Sequence, residues 1–149
     1  MYRHILVPTD GTELSDKAVA AAMKLAKLAG AHVTAFHAIE PFPLQGAYAA
    51  EASGVAELQP DVFVERSEEY AKRVLDAVAR AAAAAKVPCT TEYATSRSAS
   101  QAIVERARAD KCDLIVMASH GRRGLEGFLL GSETQKVLTH STIPVLVYR

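Results

Sequence analysis

The sequence contains no tryptophan, two cysteines in 149 residues and only 6% aromatic residues, and its 17 Lys and Arg are balanced by 17 Asp and Glu. Each of these shortages excludes something. Cys89 and Cys112 lie far apart, with no Cys-x-x-Cys and no neighbouring His at metal-ligand spacing. Two buried thiols in a reducing compartment are therefore expected. A net charge of zero argues against a protein that coats nucleic acid or anionic membranes, although a local patch fits inside the balance. No apolar run approaches the roughly 18 residues that span a bilayer. The opening Met1-Tyr2-Arg3-His4-Ile5-Leu6-Val7-Pro8 has too short an apolar run for a signal peptide and lacks a small-residue cleavage site. A cytoplasmic protein without nucleic-acid or membrane partners is expected. Half of the residues are hydrophobic, which excludes disorder. A chain of this length buries roughly 70% of its unfolded surface, enough for one domain over residues 1–149.

Short apolar runs alternate with helical stretches. His4 to Pro8 reads as a strand, stopped by Pro8 and the Thr9-Asp10-Gly11 turn. From Ser15 to Ala29, apolar residues recur at helical spacing, and Gly30 suits the left-handed residue that ends a helix. Ala31 to Ile39 reads as a second strand. Residues 40 to about 60 hold three prolines and two glycines without a clear period and read as a long loop or lid. A second helix begins near Gln59-Pro60-Asp61 and runs to Ala85. Cys89 to Ala94 reads as a short, polar edge strand, and Ser98 to Ala109 as a third helix. Leu114 to Ala118 is apolar on both faces and belongs inside a parallel sheet. A helix from Ser132 to about His140 and a strand from Pro144 to Tyr148 complete the pattern.

The order β-α-β-α-β-α-β-α-β predicts an α/β fold: a five-stranded parallel sheet with helices on both faces, Rossmann-like, in strand order 3-2-1-4-5. In such sheets ligands bind at the carboxyl ends of the strands, where the winding direction reverses. If the first and fourth strands are neighbours, Thr9-Asp10-Gly11 and the loop from Ser119 to Ser132 border that crevice. This loop is the most informative stretch. It carries four glycines in eleven residues, follows a strand and runs directly into a helix. Glycine permits close backbone approach, and a helix start offers unpaired N–H groups that favour phosphate. Ser132 is a candidate cap, and Arg122, Arg123 and His120 are candidate cationic donors. The spacing is not that of a Walker A loop, and a dinucleotide fingerprint would follow the first strand.

Taken together, Ile5-Leu6-Val7-Pro8-Thr9-Asp10-Gly11, His37, Asp113 through Arg122, Gly131-Ser132-Glu133-Thr134 and Ile143 through Val147 resemble the universal stress protein family, single-domain and ATP-binding branch. The resemblance runs from Arg3 to Arg149. The branch pattern Gly-x2-Gly-x9-Gly-Ser/Thr falls on Ala118, Gly121 and Gly131-Ser132, with Ala in place of the first Gly. The resemblance implies that Pro8, Thr9 and Asp10 line the adenosine end, with Asp10 on a ribose hydroxyl. It places the main chain of Ala38 at the adenine edge, and Met117, Ala118, Gly121, Arg122 and Arg123 along the ribose and first phosphates. Gly131, Ser132, Glu133 and Thr134 would hold the outer phosphates. The implied ligand is ATP, AMP or ADP, with any Mg²⁺ held chiefly by phosphate oxygens and water. A homodimer is implied through the edge strand Val145 to Tyr148, where Pro144 blunts only the start.

Asp10 also reads as a turn former or helix cap, and His120 as a hydrogen-bonding residue rather than a general base. No catalytic residues stand out, so a nucleotide-responsive binding module is expected rather than an enzyme. A slow ATPase or phosphotransferase at the same site is one alternative. A protein–protein adaptor without nucleotide, suggested by Ala118, is the other. A response-regulator receiver shares the architecture but is disfavoured, because the third strand ends in Tyr93-Ala94-Thr95, without an acceptor Asp.

Overall fold

The computed structural model describes residues 1–43, 45, 52–54, 59–121 and 129–149. Most of the expected loop at 40–60, and Arg122 and Arg123, lie outside the described residues. The elements are β1 (His4–Pro8), α1 (Glu13–Ala29), β2 (His32–Ile39), α2 (Pro60–Ala85), β3 (Cys89–Thr95), α3 (Ala99–Ala109), β4 (Leu114–Ala118), α4 (Ser132–His140) and β5 (Val145–Tyr148). The strands form one sheet in the order β3-β2-β1-β4-β5, with every pair parallel. This is the expected topology. The chain winds outward through β2 and β3, then returns to pair β4 on the other side of β1.

Strand side chains alternate between the two faces, so each strand feeds two cores. Ile5, Val7, Val33, Ala35, Leu114 and Val116 pack with Val19, Ala22 and Met23 of α1 and Leu75, Val78 and Ala82 of α2. Leu6, Phe36, Ile115 and Met117 pack with Ala102, Ile103 and Ala107 of α3 and Val137 of α4. Each of the Val, Leu, Ile, Phe and Met side chains taken from water contributes about 1.5–3 kcal/mol.

Local signals set most of the boundaries. The Thr12 side chain accepts from Ser15 N and caps α1, which starts two residues before the expected Ser15. Gly30 ends α1 at φ 66° with its N–H on the Ala26 carbonyl. Two expectations need correction. β3 is not short: its seven residues exceed the five of β1 and of β4, because it pairs with β2 from Val33↔Cys89 to Ile39↔Thr95. Cys89 is half-buried rather than buried, as its strand lies at the edge, whereas Cys112 is buried.

The two sheet edges differ. Along β3, Thr90, Thr91, Glu92 and Tyr93 are exposed. On β5 the exposed residue is Leu146, at 41%, flanked by the half-buried Val145 and Val147. The β4–β5 ladder uses the Pro144 and Tyr148 carbonyls, which accept from Ile115 N and Ser119 N. By the alternation of a parallel ladder, Val145 and Val147 turn their N–H and C=O groups outward.

At the opposite end of the sheet, Asp113 clamps β1 to β4. Its carboxylate accepts from Arg3 N at 2.8 Å and from His4 N at 3.0 Å. Burial pushes this carboxyl upward, but the His4 and Arg3 amides outweigh it and hold the pKa below its ordinary value. The folded pKa thus lies below the unfolded one. The clamp is fully present above the ordinary Asp pKa and is lost as pH falls through the folded value. Asp113→Asn is expected to cost about 1–2 kcal/mol in urea unfolding at neutral pH. Its stability should fall less steeply than the parent's on acidification below about pH 4.

Candidate functional site

The carboxyl ends of β1, β2 and β4 and the start of α4 meet at one edge of the sheet. β1 and β4 are neighbours, with Ile5 opposite Leu114 and Leu6 opposite Ile115, and the turns that follow them face each other. A Cβ added to Gly121 would lie 2.5 Å from Asp10 Oδ2. The Asp10 carboxylate is therefore seated directly over the Gly121 backbone, and only a residue without a side chain leaves it room.

The β1 turn is held by its main chain. Thr9 N donates to the Phe36 carbonyl at 2.9 Å, extending the β1–β2 ladder by one residue. Thr9 Oγ1 lies 2.7 Å from Ser15 Oγ, which also accepts from Asp10 N at 3.3 Å. Asp10 Oδ1 accepts from Thr12 N at 3.0 Å and from Thr12 Oγ1 at 2.7 Å. Asp10 is thus a turn former through Oδ1, while Oδ2 faces Gly121. Pro8 ends β1, and Ala38 is the penultimate residue of β2.

Two side chains that the sequence reading left outside the site complete this turn. His37, one of the residues that carry the family resemblance, is 8% exposed and lies two residues inside β2. Its Nδ1 donates to the Thr9 carbonyl at 2.8 Å. Tyr70 of α2 donates its hydroxyl to the Asp10 carbonyl at 2.7 Å, with its ring 5.7 Å from that of His37. Gly11, at φ 77°, lies under Tyr70 and Val74; a Cβ there would lie 2.6 Å from the Tyr70 hydroxyl oxygen. The available signal was the i, i+4 pair Tyr70 and Val74 beside the buried stripe of α2.

On the β4 side, Met117 and Ala118 are buried. The Ala118 carbonyl accepts from the Thr134 hydroxyl at 3.1 Å, and the Ser119 carbonyl from Gly131 N at 2.8 Å. Gly131 rests on His120: a Cβ would sit 3.1 Å from His120 Cα. His120 Nδ1 lies 3.3 Å from Ser119 Oγ. Gly131, not Ser132, is the cap residue of α4, and no side chain caps that helix. Ser132 is already helical because the Gly131 carbonyl takes the first helical bond, from Gln135 N at 3.0 Å. The N–H groups of Ser132, Glu133 and Thr134, in the first turn of α4, have no partner within their own helix. The Glu133 side chain turns away. Its carboxylate accepts from Ser100 N at 2.7 Å and from Lys136 Nζ at 2.9 Å. Burial raises its pKa, but these bonds outweigh it and hold the carboxyl below its usual range.

The arrangement is a main-chain cradle with one carboxylate at its side. Burial pushes the Cys112 thiol up to about 12, and Cys89 is raised for the same reason, so neither is a thiolate at neutral pH. Among the described residues, no group of three or more His, Cys, Asp and Glu side chains gathers to hold a metal. No helix among them is long and apolar enough to cross a membrane.

The universal stress protein family model matches residues 1–149. Universal stress protein MJ0531 of Methanocaldococcus jannaschii is 35% identical over all of this chain and 83% of its own length. A universal stress protein of Thermus aquaticus is 31% identical over the full length of both. Among solved structures, protein MJ0577 superposes with a TM-score of 0.78 at 25% identity, covering 99% of this chain and 96% of that one. A universal stress protein in complex with cAMP superposes at 0.72 with 26% identity, covering 99% and 97%.

Tyr70→Phe keeps the ring over Gly11 and removes one hydrogen bond, so a loss of about 1 kcal/mol is expected in chemical denaturation. Gly11→Ala combines a left-handed backbone with a collision at Tyr70 and should cost about 1–3 kcal/mol in the same measurement.

Proposed function

The chain belongs to the universal stress protein family, and we propose that it is an adenine-nucleotide-binding member, a homodimeric regulatory module of the cytoplasm rather than a fast enzyme. The observation that carries this reading is the seating of the Asp10 carboxylate over Gly121, beside a helix start whose cap is also glycine. Glycine at 121 lets the Asp10 carboxylate close on the backbone, and glycine at 131 lets the start of α4 come against His120, which brings the carboxylate and the helix start to the same crevice; a relative of the same fold was crystallised with cAMP. Asp10 is assigned to a ribose hydroxyl, with Pro8, Thr9 and the Ala38 main chain at the adenosine end. Met117, Ala118, Gly121, Arg122 and Arg123 follow the ribose and inner phosphates. The N–H groups of Ser132, Glu133 and Thr134 take the outer ones. ATP, ADP and AMP share the same adenosine contacts, and Mg²⁺ would arrive with the phosphates.

The experiment is equilibrium binding of ATP, AMP and cAMP to protein freed of carried-over ligand. Micromolar ATP affinity is expected, weakened at least roughly tenfold by Gly131→Val, whose side chain would press on His120. Millimolar or absent binding overturns the reading.

The dimer is assigned to β5, whose outward N–H and C=O groups at Val145 and Val147 are free of the β4 ladder. Val147→Pro removes an outward donor without touching that ladder. Sedimentation should then show a monomer where the parent is a dimer, and an unchanged dimer places the interface elsewhere.

A further inference from the structure

Glu133 is the second residue of α4, so its N–H is one of the three at the helix start, yet its carboxylate leaves that helix for another. Oε2 accepts from Ser100 N, in the first turn of α3, at 2.7 Å. Ser98 Oγ accepts from Gln101 N in the same turn at 3.3 Å, so α3 already carries a side-chain cap of its own. Oε1 takes Lys136 Nζ at 2.9 Å. Two positive helix ends and one lysine thus share a single carboxylate. The depressed pKa of Glu133 keeps that group ionised at neutral pH. Without this charge, both helix ends and Lys136 would favour an anion at the start of α4. With it, a carboxylate only partly offset by Lys136 belongs to the same first turn as the N–H groups assigned to outer phosphates.

Resting on the nucleotide-binding reading above, we propose that Glu133 is a selectivity residue that weights this site against each added phosphate, disfavouring nucleoside triphosphates relative to monophosphates. The phosphate of AMP would lie on the Gly121 side of the crevice, farther from α4, so it meets little of the Glu133 charge. The outer phosphates of ATP bring further negative charge to the helix start itself. The Glu133 side chain is 41% exposed, so the repulsion acts through a largely aqueous medium and is screened by salt.

The test is calorimetric titration of ATP and AMP, without divalent ions, into the parent protein and two variants. Glu133→Gln keeps an oxygen for Ser100 N and removes the charge. The ratio of ATP to AMP affinity is expected to rise roughly fivefold at low salt, and the gain should fade near 1 M salt, where the screening length is only about 3 Å. Glu133→Ala removes the same charge while leaving Lys136 in place and should shift the ratio the same way. This variant carries the test should Glu133→Gln fail to fold. An unchanged ratio in the folded variants, or equal shifts for ATP and AMP, overturns the inference while leaving nucleotide binding intact. A parent protein that binds neither nucleotide removes the underlying reading and the inference together.

Discussion

Parallel pairing of β1 with β4 is the constraint on which the rest depends. The chain leaves β1 toward α1, β2 and β3 on one side and comes back to β4 on the other. Consecutive turns at the carboxyl edge therefore depart in opposite directions and leave a crevice between them. The packing that enforces the pairing is buried on both faces, with Ile5 and Leu6 opposite Leu114 and Ile115. The ionic clamp from Asp113 to the Arg3 and His4 amides fixes the same two strands at their other end. The seating of Asp10 over Gly121 is a consequence of this pairing, not an independent feature.

Most polar side chains around the crevice serve the backbone. Thr12, Ser15, His37 and Tyr70 each bond an atom of residues 9–11 or the Asp10 carboxylate, and Thr134 bonds the Ala118 carbonyl. Each bond is worth only about 1 kcal/mol, but they converge on a few residues drawn from α1, α2 and β2. The carboxylate is therefore held in one place by the fold itself. Tyr70 extends this support to α2, which packs on the face of the sheet opposite α3 and α4.

Much of this was legible in the sequence because the signals are local. The alternation of apolar runs and helical periods predicts, in order, the nine elements found among the described residues, and Pro8 and Gly30 mark ends where the structure has them. The residues after β1 and β4 point to the crevice for the same reason: glycine and a helix start act on their own backbone. What escaped reading is non-local. The length of β3 is set by β2 rather than by its own polar composition. The cap of α4 is decided by the approach of Gly131 to Ser119. Glu133 and Ser100 lie 33 residues apart, and nothing in either segment announces the other. Tyr70 is 60 residues from the carbonyl it binds.

The sheet's two margins differ in what they offer another strand. Along β3, Glu92 and the threonines keep water on the outer margin, so this side discourages another strand. The β5 margin carries Leu146 and outward backbone groups instead. A subunit with two adhesive margins would polymerise without limit. One with a single adhesive margin can only meet its twin, and growth ends there. The polar composition that makes β3 an unremarkable strand is therefore what would keep such an assembly finite.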